Sequence, residues 1–189
     1  TSYAISAARC GDFEPAIANA RVALELSKQH NLRLYEFVSV KTIANCFMML
    51  NESELALETF REAWELARGL QDPVKEASIL NNMGILYKSL GEHEEAARYY
   101  RLARTLHERV GDPRGMLITS YNLAVELLES GNHSEASARF SDILQEAEAT
   151  GDEEHWGLAT GALAVVSARQ RDFDVANERF STAVETLRK

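Results

Sequence analysis

The chain has 189 residues, of which 46% are hydrophobic and 26% charged, a composition typical of a globular protein. Its 20 Lys and Arg against 29 Asp and Glu leave a formal net charge of −9. This balance argues against direct nucleic-acid binding, which depends on clustered basic side chains. No apolar run approaches the roughly 18 residues that cross a bilayer, so we expect a cytoplasmic protein with no membrane contact.

The sequence repeats itself with a period of forty residues. A small-residue column consists of Ala16, Ala56, Ala96, Ala136 and Ala176. Four residues later an aromatic column begins in the second repeat, with Phe60, Tyr100, Phe140 and Phe180. Five registers that agree in phase without insertion predict a string of equivalent units that stack on one another.

Each repeat is predicted to form two helices, because its apolar positions recur at three- and four-residue spacing without β-branched alternation. The predicted repeats run over about 1–32, 33–72, 73–112, 113–152 and 153–189. Thr1 falls partway through the first helix, so the sequence predicts about ten helices with the first one truncated.

Capping residues mark where first helices begin. Asp72-Pro73 and Asp112-Pro113 place an N-cap Asp before a Pro at the first helical position, where the missing N–H costs nothing. Asp152 takes the same place in the last repeat.

Stop residues mark where helices end. Left-handed turns are predicted at Asn51, Gly91, Gly111, Gly131 and Gly151, because Gly and Asn tolerate that conformation. The last repeat has Arg171 in this column, and we therefore expect a less regular turn there.

Small residues in the third repeat indicate a close helix contact. Gly84 is predicted to face Ala96, with Tyr100 filling the adjoining space, because the side chains at a crossing set the distance between helices. We expect the whole aromatic column, Phe180 included, to supply buried area.

These residues resemble the tetratricopeptide repeat (TPR) family. Gly84, Gly91, Ala96, Tyr100 and Ala103 match its signature of small and aromatic positions, and Asn82 matches its Asn at the sixth position. Repeats of forty residues resemble the long-helix subclass found in kinesin light chains, polarity-complex adaptors and bacterial signalling proteins. The resemblance implies an all-α, right-handed α-solenoid of five stacked helix-turn-helix repeats.

No catalytic constellation stands out. Cys10 and Cys46 lack metal-ligand spacing, and the acidic clusters fall at predicted helix starts, where capping and the helix dipole explain them. The sequence therefore predicts a non-enzymatic segment with no cofactor and no metal.

The resemblance implies a binding role instead, in which the first helix of every repeat lines a concave groove. The groove is predicted to be polar and partly basic at first and apolar later, and to accept a peptide or helix of a partner protein. The predicted partner-binding residues are Lys41, Asn45, Met48, Asn81, Asn82, Ile85, Lys88, Tyr121, Asn122, Val125, Leu128 and Val165.

A sharper hypothesis concerns the carboxylate clamp of co-chaperone repeats. Lys41, Asn45 and Asn82 match its first three elements, but Ile118 and Asn122 stand where two cations are required. The alternative, which the sequence favours, is that these Asn residues are ordinary members of the repeat.

Two function classes stay open. One is a protein-interaction scaffold, and the other is a regulatory or sensor segment of a multidomain bacterial signalling protein with a transcription-activator or nucleotide-cyclase-type output. Because neither end shows a polar cap, we also expect a fragment of a longer protein, with apolar end faces that allow self-association.

Overall fold

The computed structural model describes residues 12–188, which contain nine α-helices and no β-strand. The all-α prediction is confirmed. The helices are α1 (Phe13–Gln29), α2 (Arg33–Met49), α3 (Ser53–Gly69), α4 (Pro73–Ser89), α5 (His93–Val110), α6 (Pro113–Glu129), α7 (His133–Thr150), α8 (Glu153–Arg169) and α9 (Phe173–Leu187). The predicted truncated first helix lies outside the described residues.

The chain divides into two compact units, residues 1–110 and 111–189. The N-terminal unit holds α1–α5 and the C-terminal unit holds α6–α9. Within each unit, helices that follow one another pack antiparallel. None of the helices between residues 12 and 188 has the length and apolarity that crossing a bilayer requires.

The predicted caps are present at three first helices. The carboxylates of Asp72 and Asp112 each accept a hydrogen bond of 3.0 Å, from the backbone N–H of Lys75 and Gly115 respectively. Asp152 accepts one of the same length from the N–H of His155. Each bond satisfies a backbone donor that the helix itself leaves without a partner.

The turns share one backbone geometry. Gly91 has a φ of 76°, its N–H donates to the carbonyl of Lys88 at 2.9 Å, and the N–H of Glu92 donates to Tyr87 at 2.9 Å. All the predicted left-handed positions, which are Asn51, Gly91, Gly111, Gly131 and Gly151, have positive φ.

The prediction of a less regular turn at Arg171 was wrong. Arg171 has a φ of 65°, and the N–H groups of Arg171 and Asp172 donate to Ala168 and Ser167, each at 3.0 Å. Gln71 adopts the same conformation, with a φ of 54°. The two backbone hydrogen bonds of the turn therefore fix its geometry even where the side chain opposes it.

The aromatic column is buried in three repeats and exposed in the last. Phe60, Tyr100 and Phe140 are fully buried, whereas Phe180 is 42% exposed. The expectation that Phe180 supplies buried area was wrong, because the described residues contain no helix after α9 to cover its ring. Val184 and Leu187 are also exposed on α9. Self-association through this face stays a prediction.

The close helix contact predicted at Gly84 is made by the ring of Tyr100, whose atoms lie nearest to an added Cβ, rather than by Ala96. A Cβ atom added to Gly84 would lie 2.5 Å from Cε1 and 2.6 Å from Cδ1 of the Tyr100 ring. Both residues are buried, so the ring occupies the space that any other side chain at position 84 would need.

We predict that Gly84→Ala lowers the free energy of unfolding by about 1–3 kcal/mol, because the buried ring has no room to move. Gly69→Ala is the matched control, since no atom lies within 4 Å of its added Cβ, and it is expected to be neutral or stabilising. Denaturant titration measures both. Equal stability of the two variants would contradict the contact.

We predict that Arg171→Gly raises the free energy of unfolding by about 0.5–1 kcal/mol, because it removes the steric cost of a left-handed non-glycine residue. Gly131 has a φ of 86°, and no atom lies within 4 Å of a Cβ added to it. Gly131→Ala should therefore lower the free energy of unfolding by about 1 kcal/mol, through backbone strain alone. Thermal and denaturant unfolding test the pair, and a destabilised Arg171→Gly would show that the arginine side chain stabilises the turn.

Candidate binding surface

All twelve predicted binding residues lie on the first helices of their repeats, which are α2, α4, α6 and α8. Ile85 is exposed, Leu128 is buried, and the others are half-buried.

Two polar bridges connect α2 to α4 in the N-terminal unit. Lys41 Nζ donates to Ser78 Oγ at 2.9 Å, and Asn82 Nδ2 donates to Asn45 Oδ1 at 2.9 Å. On each helix the two residues are four positions apart, so both bridges lie on one face. Together with Met48 and Ile85, these four residues form what we name the α2–α4 surface.

The Asn45–Asn82 pair retains hydrogen-bonding capacity. The bridge uses one N–H of Asn82 and one lone pair of Asn45. An amide has two N–H donors and a carbonyl with two lone pairs, so both side chains keep a donor and an acceptor for a ligand. Because both are half-buried, a ligand that pairs with them gains hydrogen bonds in a partly dry environment.

Lys41 gives this surface an unusual electrostatic character. Burial, and then the positive charge of Lys75, lower the pKa of Lys41 from its ordinary value. Lys75 itself bonds to the carboxylate of Asp72, whereas the described hydrogen bond of Lys41 goes to the neutral hydroxyl of Ser78. A negative group placed beside Lys41 would stabilise its charged form.

The opposite end of the surface is apolar. Met48 is half-buried and Ile85 is 37% exposed, and the helix ends beside them expose Met49, Leu50 and Leu90. Met48 and Ile85 are among the predicted binding residues, and that role stays a prediction. Sequence reasoning missed the influence of Lys75 on Lys41, because nothing in the sequence shows that the two ammonium groups are close.

Contacts elsewhere in the N-terminal unit hold α4 in place. Tyr87 of α4 stacks on Tyr99 of α5 with ring centroids 5.1 Å apart and planes 9° from parallel. Burial is the first cause that raises the pKa of Tyr87, followed by the charge of Tyr99. Trp64 of α3 donates its indole N–H to Glu76 Oε1 at 3.0 Å. These contacts position the α2–α4 surface without forming part of it.

The C-terminal unit presents a more apolar set. Tyr121 packs on buried Phe140 with centroids 5.6 Å apart, and burial raises the pKa of Tyr121. Val125 and Val165 lie against the same core. Leu128 is only 6% exposed and belongs to that core, so this predicted binding residue offers a ligand almost no surface.

One cluster has the composition of a metal site but a different explanation. Asp152, Glu154 and His155 bring potential ligand atoms within 4.8 Å of one another. Asp152 already accepts the backbone N–H of His155 at 3.0 Å, and its second oxygen lies 2.9 Å from His155 Nδ1. These contacts are those of a capped helix start, which accounts for the residue types present.

Comparison with known proteins identifies the family. The tetratricopeptide repeat model matches residues 36–109 and 75–149, which together make up more than half of the chain. The chain belongs to the tetratricopeptide repeat family. TPR domains generally bind other proteins and are typically non-catalytic. No curated protein matches the sequence.

Solved structures with the TPR fold resemble the chain at low sequence identity. BtubC (BKLC) from P. vanneervenii is 19% identical, with a TM-score of 0.77 over 92% of this chain and 73% of that one. The signal transduction ATPase PH0952 from Pyrococcus horikoshii, which has a tetratricopeptide repeat sensor, is 18% identical, with a TM-score of 0.82 over 98% of this chain and 28% of that one.

A third structure is the Rap conjugation gene regulator of plasmid pLS20 in complex with the Phr* peptide. It is 18% identical, with a TM-score of 0.74 over 84% of this chain and 44% of that one. The chain therefore spans less than half the length of the ATPase and of the Rap regulator, and the likeness shows the fold alone.

The lowered pKa of Lys41 predicts a pH-dependent contribution to stability. Between its folded pKa and the ordinary value of 10.5, the unfolded state binds more protons than the folded state, so the free energy of unfolding rises with pH. We expect wild type to gain stability relative to Lys41→Met as pH rises through this window. Urea titrations of the two proteins across this pH range measure the difference, and a difference that does not change with pH would contradict the lowered pKa of Lys41.

Proposed function

We propose that this chain is a protein-interaction module that binds a peptide or short helix of a partner on the inner faces of its first helices. The observation that carries the proposal is the pair of bridges on the α2–α4 surface, Lys41 to Ser78 and Asn82 to Asn45, both at 2.9 Å. Half-buried polar groups that keep donors and acceptors are suited to pairing with the backbone or side chains of a bound segment.

The accessible chemistry favours a peptide over a small-molecule or nucleic-acid ligand. The α2–α4 surface combines one ammonium group, two amides and exposed apolar side chains, which is the mixture that recognises amphipathic protein segments. The formal net charge of −9 disfavours a polyanionic backbone. In the pLS20 Rap structure, a TPR protein is bound to a peptide, which supports this choice of ligand class.

The carboxylate clamp is a less favoured version of the same function. Asn45 and Asn82 bond to each other, and Ile118 and Asn122 supply no cation where the clamp requires two. We therefore propose that recognition does not depend on a free C-terminus.

The C-terminal unit is proposed to have an apolar binding face of its own. Tyr121, Val125 and Val165 are half-buried on its first helices, so each keeps part of its surface for a ligand. A sensor role within a larger signalling protein would use the same faces, and the sequences that flank this segment would distinguish it from a scaffold.

We predict that replacing the amide pair by Asn45→Leu together with Asn82→Leu weakens peptide binding at least about tenfold, because one to two hydrogen bonds are lost. Peptides are first selected from a displayed random library on the wild-type protein, and their affinities are then measured by isothermal titration calorimetry. Leucine preserves helix propensity at both positions, so the variant should remain folded.

Asn19→Leu is the matched control. Asn19 is also half-buried, but its amide bonds locally to the carbonyl of Pro15 at 2.7 Å. It should bind the selected peptides as wild type does. Unchanged affinity in the double variant would show that the ligand binds elsewhere, and failure to select any peptide would count against the proposed function itself.

A further inference from the structure

The groups of the α2–α4 surface are ordered along the helix axes. Lys41 and Ser78 lie at one level, and Asn45 and Asn82 follow four residues later. Met48 and Ile85 come three residues after that, seven positions from the first level on both helices. With a rise of about 1.5 Å per residue, the cationic and apolar levels are separated by roughly 10.5 Å.

This separation discriminates between the two conformations of a bound segment. In an extended strand, side chains on one face recur about every 6.8 Å, and the residue that reaches about 10 Å points to the opposite face. In an α-helix, residues seven positions apart lie on the same face at about 10.5 Å. A helix that lies lengthwise therefore matches both levels, and a strand matches only one.

The charge at the first level selects the side chain placed there. Lys41 is half-buried and bonds to a neutral hydroxyl, and its pKa is lowered first by burial and then by the like charge of Lys75. A carboxylate at this level would compensate both the burial and the repulsion. At the other end, Ile85 is exposed and Met48 is half-buried, and both favour an aliphatic side chain.

On the basis of the proposed function, we infer that the partner segment of the α2–α4 surface is a helix lying along α2 and α4. It carries an acidic side chain over Lys41 and Ser78 and an aliphatic side chain seven positions away over Met48 and Ile85. Between them, the Asn45–Asn82 pair accepts a polar residue. The surface thus recognises an amphipathic helix with an acidic and an aliphatic residue two turns apart.

Fluorescence anisotropy with synthetic peptides tests this inference. The probe is a labelled helical peptide of about 15 residues on an alanine–glutamine scaffold, with one glutamate and one leucine seven positions apart. The comparison peptides replace the glutamate by glutamine, shorten the spacing to five positions, or place a proline at the centre. Each change is expected to weaken binding to the wild-type protein about tenfold, because it removes the charge, the shared face or the helix.

Protein variants show where the peptide binds. Lys41→Met should bind the glutamate and glutamine peptides equally, and Ile85→Asp should weaken binding of the glutamate–leucine peptide. The matched controls are Lys28→Met and Leu55→Asp, which change exposed residues on α1 and α3. Both controls should bind as wild type does, and circular dichroism melts verify that all four variants are folded.

The outcomes separate the inference from the proposed function. The inference of a helix lying along α2 and α4 would be overturned if Lys41→Met still prefers the glutamate peptide. It would also be overturned if the peptides with seven- and five-position spacing bind equally well. If library-selected peptides depend on Asn45 and Asn82 while no helical peptide binds, the ligand is extended, and the inference fails although the proposed function stands. If neither kind of peptide binds, both fail.

Discussion

The contact between a small residue on the first helix of a repeat and an aromatic ring on the second is the constraint on which the fold depends. In the third repeat this contact leaves no room for a side chain at residue 84, because the ring of Tyr100 occupies the place that a Cβ would take. The corresponding residues of the second repeat, Ala44 and Phe60, belong to one buried core, and those of the fourth repeat, Ala124 and Phe140, belong to another. Gly157 plays a related part in the C-terminal unit, where an added Cβ would lie 2.7 Å from Cγ of Leu187. Because the two helices of a repeat pack closely, the first helix has little freedom to rotate about its own axis. The packing therefore fixes which of its side chains face away from the core.

That fixed face explains how the N-terminal unit forms a polar surface on helices that are largely buried. The core contacts hold the residues of α2 and α4 that lie between them in fixed positions. Two hydrogen bonds of 2.9 Å join α2 to α4, each between residues that are 37 positions apart in the sequence. Stacking of Tyr87 on Tyr99 and the bond from Trp64 to Glu76 hold α4 from its other sides. If a partner binds this surface as proposed, it meets groups that are already oriented, and this reduces the entropy lost on binding.

Much of the fold was predictable because the repeat makes each local signal visible several times. The caps at Asp72, Asp112 and Asp152 and the left-handed turns depend on residues next to one another in sequence, and they are confirmed. Arg171 was misjudged because side-chain preference is weaker than the hydrogen bonds of the turn, and Phe180 because burial depends on what packs next to it. Of the site, helical spacing predicted that Lys41 and Asn45 share a face of α2, but it did not reveal that they pair with Ser78 and Asn82 of the next repeat. Leu128 shows the same limit, since a lining position and a core position differ by only a small rotation.

The turns have a consequence for how this scaffold tolerates change. Asparagine, glutamine, arginine and glycine all occupy the same backbone conformation, with φ between 53° and 86°, and main-chain hydrogen bonds close turns with each of these residue types, as at Asn51, Gln71, Gly91 and Arg171. The penalty for an unsuitable side chain is about 1–2 kcal/mol at each place, and it falls on residues that face water. Loops of this protein can therefore acquire new charges or hydrogen-bonding groups one at a time while the helices stay where they are, and this makes the loops suitable places to add new contacts.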